Sequence, residues 1–125
     1  MTLSSAQVLV VDDEIDILPE YQEFFESAGF TTYTCVCPLE AIKLVLHTPG
    51  VNVVITDLRM GKLDGASMIR ELRATLPPER RVDFLILTGD ATAQPVDDIA
   101  DVPVFLKPAD TDALVAAIRA VAGRP

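Results

Sequence analysis

The chain has 125 residues, of which 50% are hydrophobic and 6% aromatic, and its formal net charge is −9. This length suits one domain with an ordinary hydrophobic core, and the aliphatic-rich composition excludes a disordered chain. The negative charge argues against general electrostatic binding of nucleic acid or of an anionic membrane, and it favours a cation as ligand.

The N-terminal sequence "MTLSSAQ" has neither the basic nor the apolar region of a signal peptide. No apolar run reaches the ~18 residues that a membrane-spanning helix needs. We therefore expect a single cytoplasmic domain over residues 1–125, with no internal linker and no contact with a membrane.

Apolar runs alternate with helical patterns along the chain. β-Branched and aliphatic runs predict five strands, at 7–11, 31–35, 51–56, 82–88 and 102–106. Amphipathic periodicity predicts helices at 14–30, 38–47, 65–76 and 110–123. Between the last two strands, the segment "GDATAQPVDDIAD" contains a proline and several acids, which predicts only a shortened or irregular fourth helix.

The strands are apolar along their whole length, so they need cover on both faces. This predicts an α/β fold with a five-stranded parallel sheet flanked by helices on both sides.

Several residues mark the ends of the predicted helices. Pro19 falls in the first turn of the first helix, where its missing N–H costs little, and Gly29 ends that helix. Glu14 is interpreted as an acid of the first turn, which the helix dipole favours. Asp110 or Thr111 is expected to cap the last helix.

Cys35 and Cys37 form a C-x-C pair that we expect on one face of the second strand. A structural zinc site needs about four ligands, and the single histidine, His47, does not complete one. We interpret both cysteines as reduced thiols with a structural role rather than as a redox pair.

Polar residues occupy the carboxyl ends of four predicted strands. These residues are Asp12 and Asp13 after the first strand, Asp57 after the third, Thr88 in the fourth and Lys107 after the fifth. Ligands of open parallel sheets bind at this edge, near the point where the strand order reverses. Each residue alone could be a turn former, a helix cap or a solvated side chain, but independent turn formers have no reason to select the same edge.

Three carboxylates at one edge repel one another unless a cation lies between them. Mg²⁺ suits such a site, because it takes one or two carboxylates, a carbonyl oxygen and waters as ligands. Mg²⁺ and Lys107 would neutralise the oxygens of an incoming phosphoryl group, and Thr88 would donate a hydrogen bond to it. An aspartate could then act as nucleophile and form an acyl phosphate.

The motifs "VLVVDDE", "VVITDLRMGKLDG", "LILTGD" and "VFLKP" together resemble the receiver domain of two-component response regulators, stand-alone chemotaxis-type regulators included. The resemblance covers about residues 7–122, with the motifs in the family's order. It implies a flavodoxin-like sheet with the strand order 2-1-3-4-5. It also implies a signalling protein rather than an enzyme, with no direct contact to nucleic acid.

By this resemblance, Asp57 is the phospho-acceptor and takes the phosphoryl group from a sensor histidine kinase or a histidine phosphotransfer protein. Asp13 and Asp57 would bind Mg²⁺ directly, and Asp12 mostly through water. The backbone carbonyl of Arg59 would be the remaining protein ligand.

The same resemblance implies that Thr88 and Lys107 contact the phosphoryl oxygens. Phosphorylation would move Thr88 and change the surface built on the fourth and fifth strands. That surface would act on a downstream protein target or on an output domain outside this sequence.

The sequence departs from the family pattern near the site. Gly61 stands where the family usually has proline, and Gly89 follows the hydroxyl residue where alanine is common. Val104 occupies the position of the usual aromatic switch residue, and strand alternation places Phe105 on the opposite face, in the core. The segment from Thr88 to Lys107 is also a few residues shorter than usual. The phosphorylation residues are nevertheless all present.

Arg59 and Asp90 should both overhang the predicted pocket. One hypothesis is that they pair across its mouth and limit the access of water to the acyl phosphate; the alternative is two solvated charges.

Two other functions remain open from the sequence. A pseudo-receiver would bind partners without being phosphorylated. An aspartyl-phosphate phosphohydrolase of the haloacid-dehalogenase type shares the sheet, Mg²⁺ and an aspartate nucleophile, but it usually needs a D-x-D pair. Here the first strand is followed by D-D-E, and Arg59 occupies the second position after Asp57. A flavodoxin-like FMN carrier is disfavoured, because Asp12 and Asp13 would repel its phosphate.

Overall fold

The computed structural model describes residues 6–58, 64–89, 99–107 and 110–122. These residues form one parallel sheet and four helices. The elements are β1 (Gln7–Val11), α1 (Leu18–Ser27), β2 (Thr31–Cys35), α2 (Pro38–His47), β3 (Val53–Thr56), α3 (Gly65–Thr75), β4 (Asp83–Thr88), β5 (Val104–Leu106) and α4 (Thr111–Ala122). The strand order is β2-β1-β3-β4-β5, which confirms the predicted parallel sheet and its order.

Each face of the sheet is covered by two helices. In β1, Leu9 and Val11 pack in a cluster with α2 and α3, whereas Val8 and Val10 pack in a second cluster with α1 and α4. Strand residues alternate between the faces, and both faces are buried. This explains why β1 and β3 are uninterrupted aliphatic runs rather than alternating ones.

The start of α1 differs from the prediction. The helix begins at Leu18, and Glu20 is the acid of its first turn, so the interpretation of Glu14 as a first-turn acid is wrong. Pro19 lies in the first turn and has no N–H to donate to a preceding turn. Residues 14–17 instead form a separate turn, in which the Ile17 N–H donates to the Glu14 carbonyl at 3.2 Å.

α1 ends at Ser27, three residues before the predicted end, and the other boundaries agree with the prediction to within two residues. Gly29, with φ of 98°, follows α1 in the left-handed conformation that glycine adopts at little cost. The Asp110 carboxylate accepts hydrogen bonds from the backbone N–H groups of Asp112 and Ala113, so Asp110 caps α4. The predicted irregular helix lies mostly at 90–98, outside the described residues.

The two cysteines are free thiols, but they do not share a strand. β2 ends at Cys35, and Cys37 is the N-cap of α2. The Cys35 thiol donates to the Cys37 carbonyl at 3.2 Å, and burial raises the pKa of the Cys35 thiol. Both features reduce the reactivity of Cys35 and agree with a structural role.

None of the helices in the described part of the chain combines the length and the apolar character that crossing a membrane requires.

β5 is the shortest strand, and its two outward residues, Val104 and Leu106, are exposed. Phe105 is half-buried and packs against the cluster of α1 and α4, as predicted from strand alternation. The segment before β5 is held by Ile99 and Val102, which are buried with α2 and α3.

Arg73, in the last turn of α3, also holds this segment. Its guanidinium donates two hydrogen bonds to the Asp101 carboxylate, at 2.9 and 3.3 Å, and lies over the Phe84 ring of β4. The bond from Arg73 lowers the pKa of Asp101 below its usual value. This two-point contact ties α3 to the segment that leads into β5.

We expect Arg73→Ala to lower the free energy of unfolding by about 1 kcal/mol at pH 7, because it removes a bidentate ion pair and a stacked guanidinium. The pKa of Asp101 is lower in the folded protein than in the unfolded protein. The stabilisation by the ion pair is therefore complete above the Asp101 pKa of the unfolded protein, and it is lost as the pH falls through the Asp101 pKa of the folded protein. Urea denaturation at pH 7 and at acid pH measures both effects. The control is Lys43→Ala, which removes the exposed pair with Glu40 at 3.6 Å. Equal losses in the two variants would contradict the role given to Arg73.

Candidate functional site

The carboxyl ends of β1 and β3 meet at the point where the strand order reverses. Val11 pairs with Thr56 in the parallel register, so the next residues, Asp12 and Asp57, lie side by side. Both are buried, although most aspartates in proteins are exposed. Two neighbouring buried carboxylates repel each other and need a compensating cation.

Lys107 supplies that cation in the structure. Its ammonium donates to Asp12 Oδ2 at 2.6 Å, to Asp57 Oδ2 at 2.9 Å and to Glu14 Oε1 at 3.0 Å. The Lys107 backbone N–H donates to the carbonyl of Thr88 at 2.8 Å, which fixes the start of the side chain at the end of β4. Four of the five residues predicted from the strand ends, Asp12, Asp57, Thr88 and Lys107, therefore lie together at one edge.

The electrostatics of the three partners are linked. Burial alone would lower the pKa of Lys107, but the hydrogen bonds to Asp12, Asp57 and Glu14 outweigh it, so the pKa is raised. Burial raises the pKa of Asp12, and the hydrogen bond from Lys107 opposes that effect. Lys107 is therefore charged at neutral pH, and its hydrogen bond to Asp12 opposes the protonation of that carboxylate that burial favours.

The backbone at Asp57 is fixed by neighbours on both sides. Its N–H donates to the Val11 carbonyl at 3.2 Å, and its carbonyl accepts the Thr56 hydroxyl at 2.8 Å. Gly65, the first residue of α3, lies against that carbonyl so closely that an added Cβ would clash with it. Gly65 also donates its N–H to the Leu58 carbonyl at 2.8 Å, closing the loop that follows Asp57.

The predicted site residues do not all take part equally. Thr88 is buried at the end of β4, next to the start of Lys107. Asp13 is exposed and does not belong to the group of carboxylates that could hold one ion. Arg59 and Asp90, with the hypothesis that they pair, lie outside the described residues, as does Gly61.

Glu14 is the site residue that sequence reasoning missed. The carboxylate oxygens of Asp12, Glu14 and Asp57 lie within 4.8 Å of one another and could hold a metal ion. The signal was present in the third acid of "DDE", but the helical periodicity assigned Glu14 to α1. A hydrogen bond of 2.9 Å from its backbone N–H to Asp12 Oδ1 turns the chain so that Glu14 faces Lys107.

A cleft of about 820 Å³ opens beside this group, between α1 and the end of β5. Glu14, Tyr21, Gly89, Lys107 and Thr111 are among the residues that line it. Burial raises the pKa of the Tyr21 hydroxyl, so Tyr21 is a neutral wall at physiological pH. The cleft gives the acidic group an opening to solvent.

Comparison with known proteins identifies the family. The family model described as the response regulator receiver domain matches residues 8–119. The chain belongs to the response regulator receiver domain family, a class of signalling modules of two-component systems.

Two curated relatives illustrate the match. The two-component response regulator PprB of Pseudomonas aeruginosa is 32% identical over 89 residues, which are 71% of this chain and 32% of PprB. The transcriptional regulatory protein GlrR of Escherichia coli K12 is 31% identical over 121 residues, which are 94% of this chain and 26% of GlrR. The chain thus spans about a third or less of the length of these relatives.

Solved structures agree on the fold. A response regulator receiver domain protein from Clostridium thermocellum is 28% identical with a TM-score of 0.78, and the match covers 95% of each chain. The receiver domain of the Francisella response regulator 1452 is 25% identical with a TM-score of 0.80, over 95% of this chain and 98% of that one.

We expect Gly65→Ala to destabilise the protein by about 2 kcal/mol, because the new Cβ would clash with the backbone at Asp57 and cannot be accommodated by a side-chain rotation. The midpoint of urea denaturation measures this effect. Gly89→Ala is the matched control, since an added Cβ there meets no atom within 4 Å. A Gly65→Ala protein as stable as the Gly89→Ala protein would show that the close approach is not a constraint.

We expect Lys107→Met to lower the free energy of unfolding by about 2 kcal/mol at pH 7 without metal, because Asp12 and Asp57 would lose their counter-charge. The pKa of Asp12, already raised by burial, would rise further above its unfolded value. The folded Lys107→Met protein would then bind more protons than its unfolded form. Its loss in free energy of unfolding, called the deficit below, should therefore become smaller as the pH falls through the raised pKa of Asp12.

Urea denaturation in EDTA between pH 4 and pH 8 measures the Lys107→Met deficit. Lys43→Met, which replaces an exposed lysine of α2, is the control and should change little across this range. A deficit in Lys107→Met that is independent of pH would contradict the electrostatic explanation.

Proposed function

We propose that the chain accepts a phosphoryl group on Asp57 from the phosphohistidine of a sensor histidine kinase or a histidine phosphotransfer protein. The observation that carries this proposal is the contact of one lysine ammonium with the carboxylates of Asp12 and Asp57 at the switch point of a receiver-type sheet. Family membership supports the same reaction.

In this reaction, a carboxylate oxygen of Asp57 attacks phosphorus, and the bond from phosphorus to the imidazole nitrogen breaks. The bonding electron pair stays on the nitrogen, so no oxidant or reductant is needed. The product is an acyl phosphate on Asp57. The hydrogen bonds at the backbone N–H and carbonyl of Asp57 hold the acceptor in place, which reduces the entropy cost of the transfer.

Lys107 is positioned to neutralise the charge that arrives with the phosphoryl group. Its ammonium already contacts the acceptor carboxylate, so a phosphoryl oxygen on Asp57 would lie within its reach. We assign Thr88 as the second contact, because it is buried beside Lys107 at the end of β4. Both groups stabilise negative charge more effectively at a partly buried site than in water.

The acidic group fits Mg²⁺. It offers only carboxylate oxygens, which a hard cation prefers, and these oxygens lie within 4.8 Å of one another. The proposed ligands are Asp12 and Asp57 of this group, together with the exposed Asp13 and the backbone carbonyl of Arg59 that the family resemblance adds. Glu14 is the third carboxylate of the group. When bound, Mg²⁺ supplies positive charge to the phosphoryl oxygens.

The consequence of phosphorylation is proposed to be a change in a protein-binding surface. Thr88 and Lys107 connect the site to β4 and β5, and β5 exposes Val104 and Leu106. The relatives named above are longer proteins, a response regulator and a transcriptional regulatory protein. We therefore propose either an output domain or a separate protein target as the recipient of the signal.

Incubation with a small phosphodonor and Mg²⁺ should add one phosphoryl group, detected as a mass increase of the intact protein. Asp57→Asn or EDTA should abolish the increase, because each removes a component of the proposed reaction. Asp16→Asn, which removes an exposed acid of the turn before α1, is the control and should still be labelled. Labelling that persists in Asp57→Asn would move the acceptor elsewhere. An unlabelled wild type would favour the pseudo-receiver.

A further inference from the structure

The ammonium of Lys107 has a hydrogen-bond partner for each of its donors. It carries three N–H groups, and the structure shows three carboxylate partners, Asp12, Asp57 and Glu14, at 2.6–3.0 Å. A phosphoryl oxygen can be contacted only if one of these partners gives up its place. The contact proposed above therefore includes an exchange of partners at Lys107.

The three partners differ in how easily they can be released. The side chains of Asp12 and Asp57 are 3% and 12% exposed, whereas that of Glu14 is 62% exposed. Water can solvate a released Glu14 carboxylate, but it cannot reach the two aspartates to the same extent. Asp12 is also held through its other oxygen by the backbone N–H of Glu14 at 2.9 Å.

The backbone leaves Glu14 free to move its side chain. Glu14 lies in the turn before α1, outside any regular element, and its carbonyl accepts the Ile17 N–H. A rotation of the Glu14 side chain into the adjoining cleft would break the bond to Lys107 without disturbing this turn.

We propose that Glu14 occupies one donor of Lys107 in the unphosphorylated protein and yields that donor to a phosphoryl oxygen during transfer. Glu14 is then a positioning residue that slows phosphoryl acceptance and has no contact with Lys107 once Asp57 is phosphorylated. This inference rests on the proposed function. The exchange itself forms and breaks only hydrogen bonds.

Glu14→Gln tests the inference, because it removes the charge and keeps the size of the side chain. Asp16→Asn is the matched control, since it removes one exposed negative charge from the same turn. Urea denaturation first establishes that both variants fold.

The first measurement uses the metal-free, unphosphorylated protein. Exchange of the Lys107 ammonium protons with water, followed by NMR of the side-chain nitrogen, should be faster in Glu14→Gln than in the wild type. It should be unchanged in Asp16→Asn. Equal exchange in the wild type and Glu14→Gln would overturn the inference.

The second measurement compares phosphorylation and dephosphorylation. With a saturating small phosphodonor and Mg²⁺, Glu14→Gln should be phosphorylated about two- to fivefold faster than Asp16→Asn, the range expected for loss of one exposed ion pair. The rate of dephosphorylation should be the same in both variants, because Glu14 has already left Lys107.

Two outcomes of these kinetics would overturn the inference: equal phosphorylation rates in the two variants, or a parallel change in dephosphorylation. Failure of the proposed function is a different result, in which the wild type is not labelled on Asp57 at all. The NMR measurement still reports on the Glu14–Lys107 contact in that case.

Discussion

The structure depends on one lysine that balances several carboxylates. The ammonium of Lys107 follows the edge strand β5 and reaches past the end of β4 to Asp57 and Asp12, which follow β3 and β1. Neighbouring strands lie about 4.8 Å apart, so the lysine reaches about 10 Å across the sheet to the strand of Asp57 and about 14 Å to the strand of Asp12. It is possible only because β5 is fixed, through the Lys107 backbone bond to Thr88 and through the Arg73–Asp101 contact before the strand.

The rest of the fold keeps the carboxylates of Asp12 and Asp57 largely out of contact with water. Helices on both faces bury the central strands β1, β3 and β4 up to their last residues, and the strand order reverses between β1 and β3. Asp12 and Asp57 extend from this buried sheet, with backbone groups that are already hydrogen-bonded. The close approach of Gly65 leaves no room for a side chain against the Asp57 carbonyl. Asp57 is thus fixed at its backbone, and its carboxylate is paired with a side chain from the far edge of the sheet.

The partners of Lys107 are unequal, and this inequality matters for function. Two carboxylates are buried and one is exposed, although all three lie at hydrogen-bonding distance. The proposed function requires a site that holds together before phosphorylation and still admits a dianionic group. Glu14, the exposed third partner, meets both requirements. It accepts a hydrogen bond from Lys107 before phosphorylation and is solvated by water afterwards. Its location beside the cleft lined by Tyr21 gives it space to move.

The sequence by itself determined the elements and the edge at which the site lies. β-Branched and aliphatic runs predicted every described strand, because both sheet faces are buried and consecutive residues such as Leu9 and Val10 are both apolar. Amphipathic periodicity predicted the described helices. The strand ends predicted the gathering of Asp12, Asp13, Asp57, Thr88 and Lys107, since parallel strands present their carboxyl ends at one edge. Asp13 is the exception, because it is exposed and lies outside the group of carboxylates.

Only the tertiary structure decided which acids face Lys107. Asp13 and Glu14 are adjacent in the chain, and periodicity placed Glu14 in α1. The bond from the Glu14 N–H to Asp12, together with the late start of α1 at Leu18, directs Glu14 to the lysine and leaves Asp13 exposed. That choice depends on backbone hydrogen bonds in a four-residue turn and on a lysine 93 residues further along the chain, and neither leaves a periodic signal in the sequence.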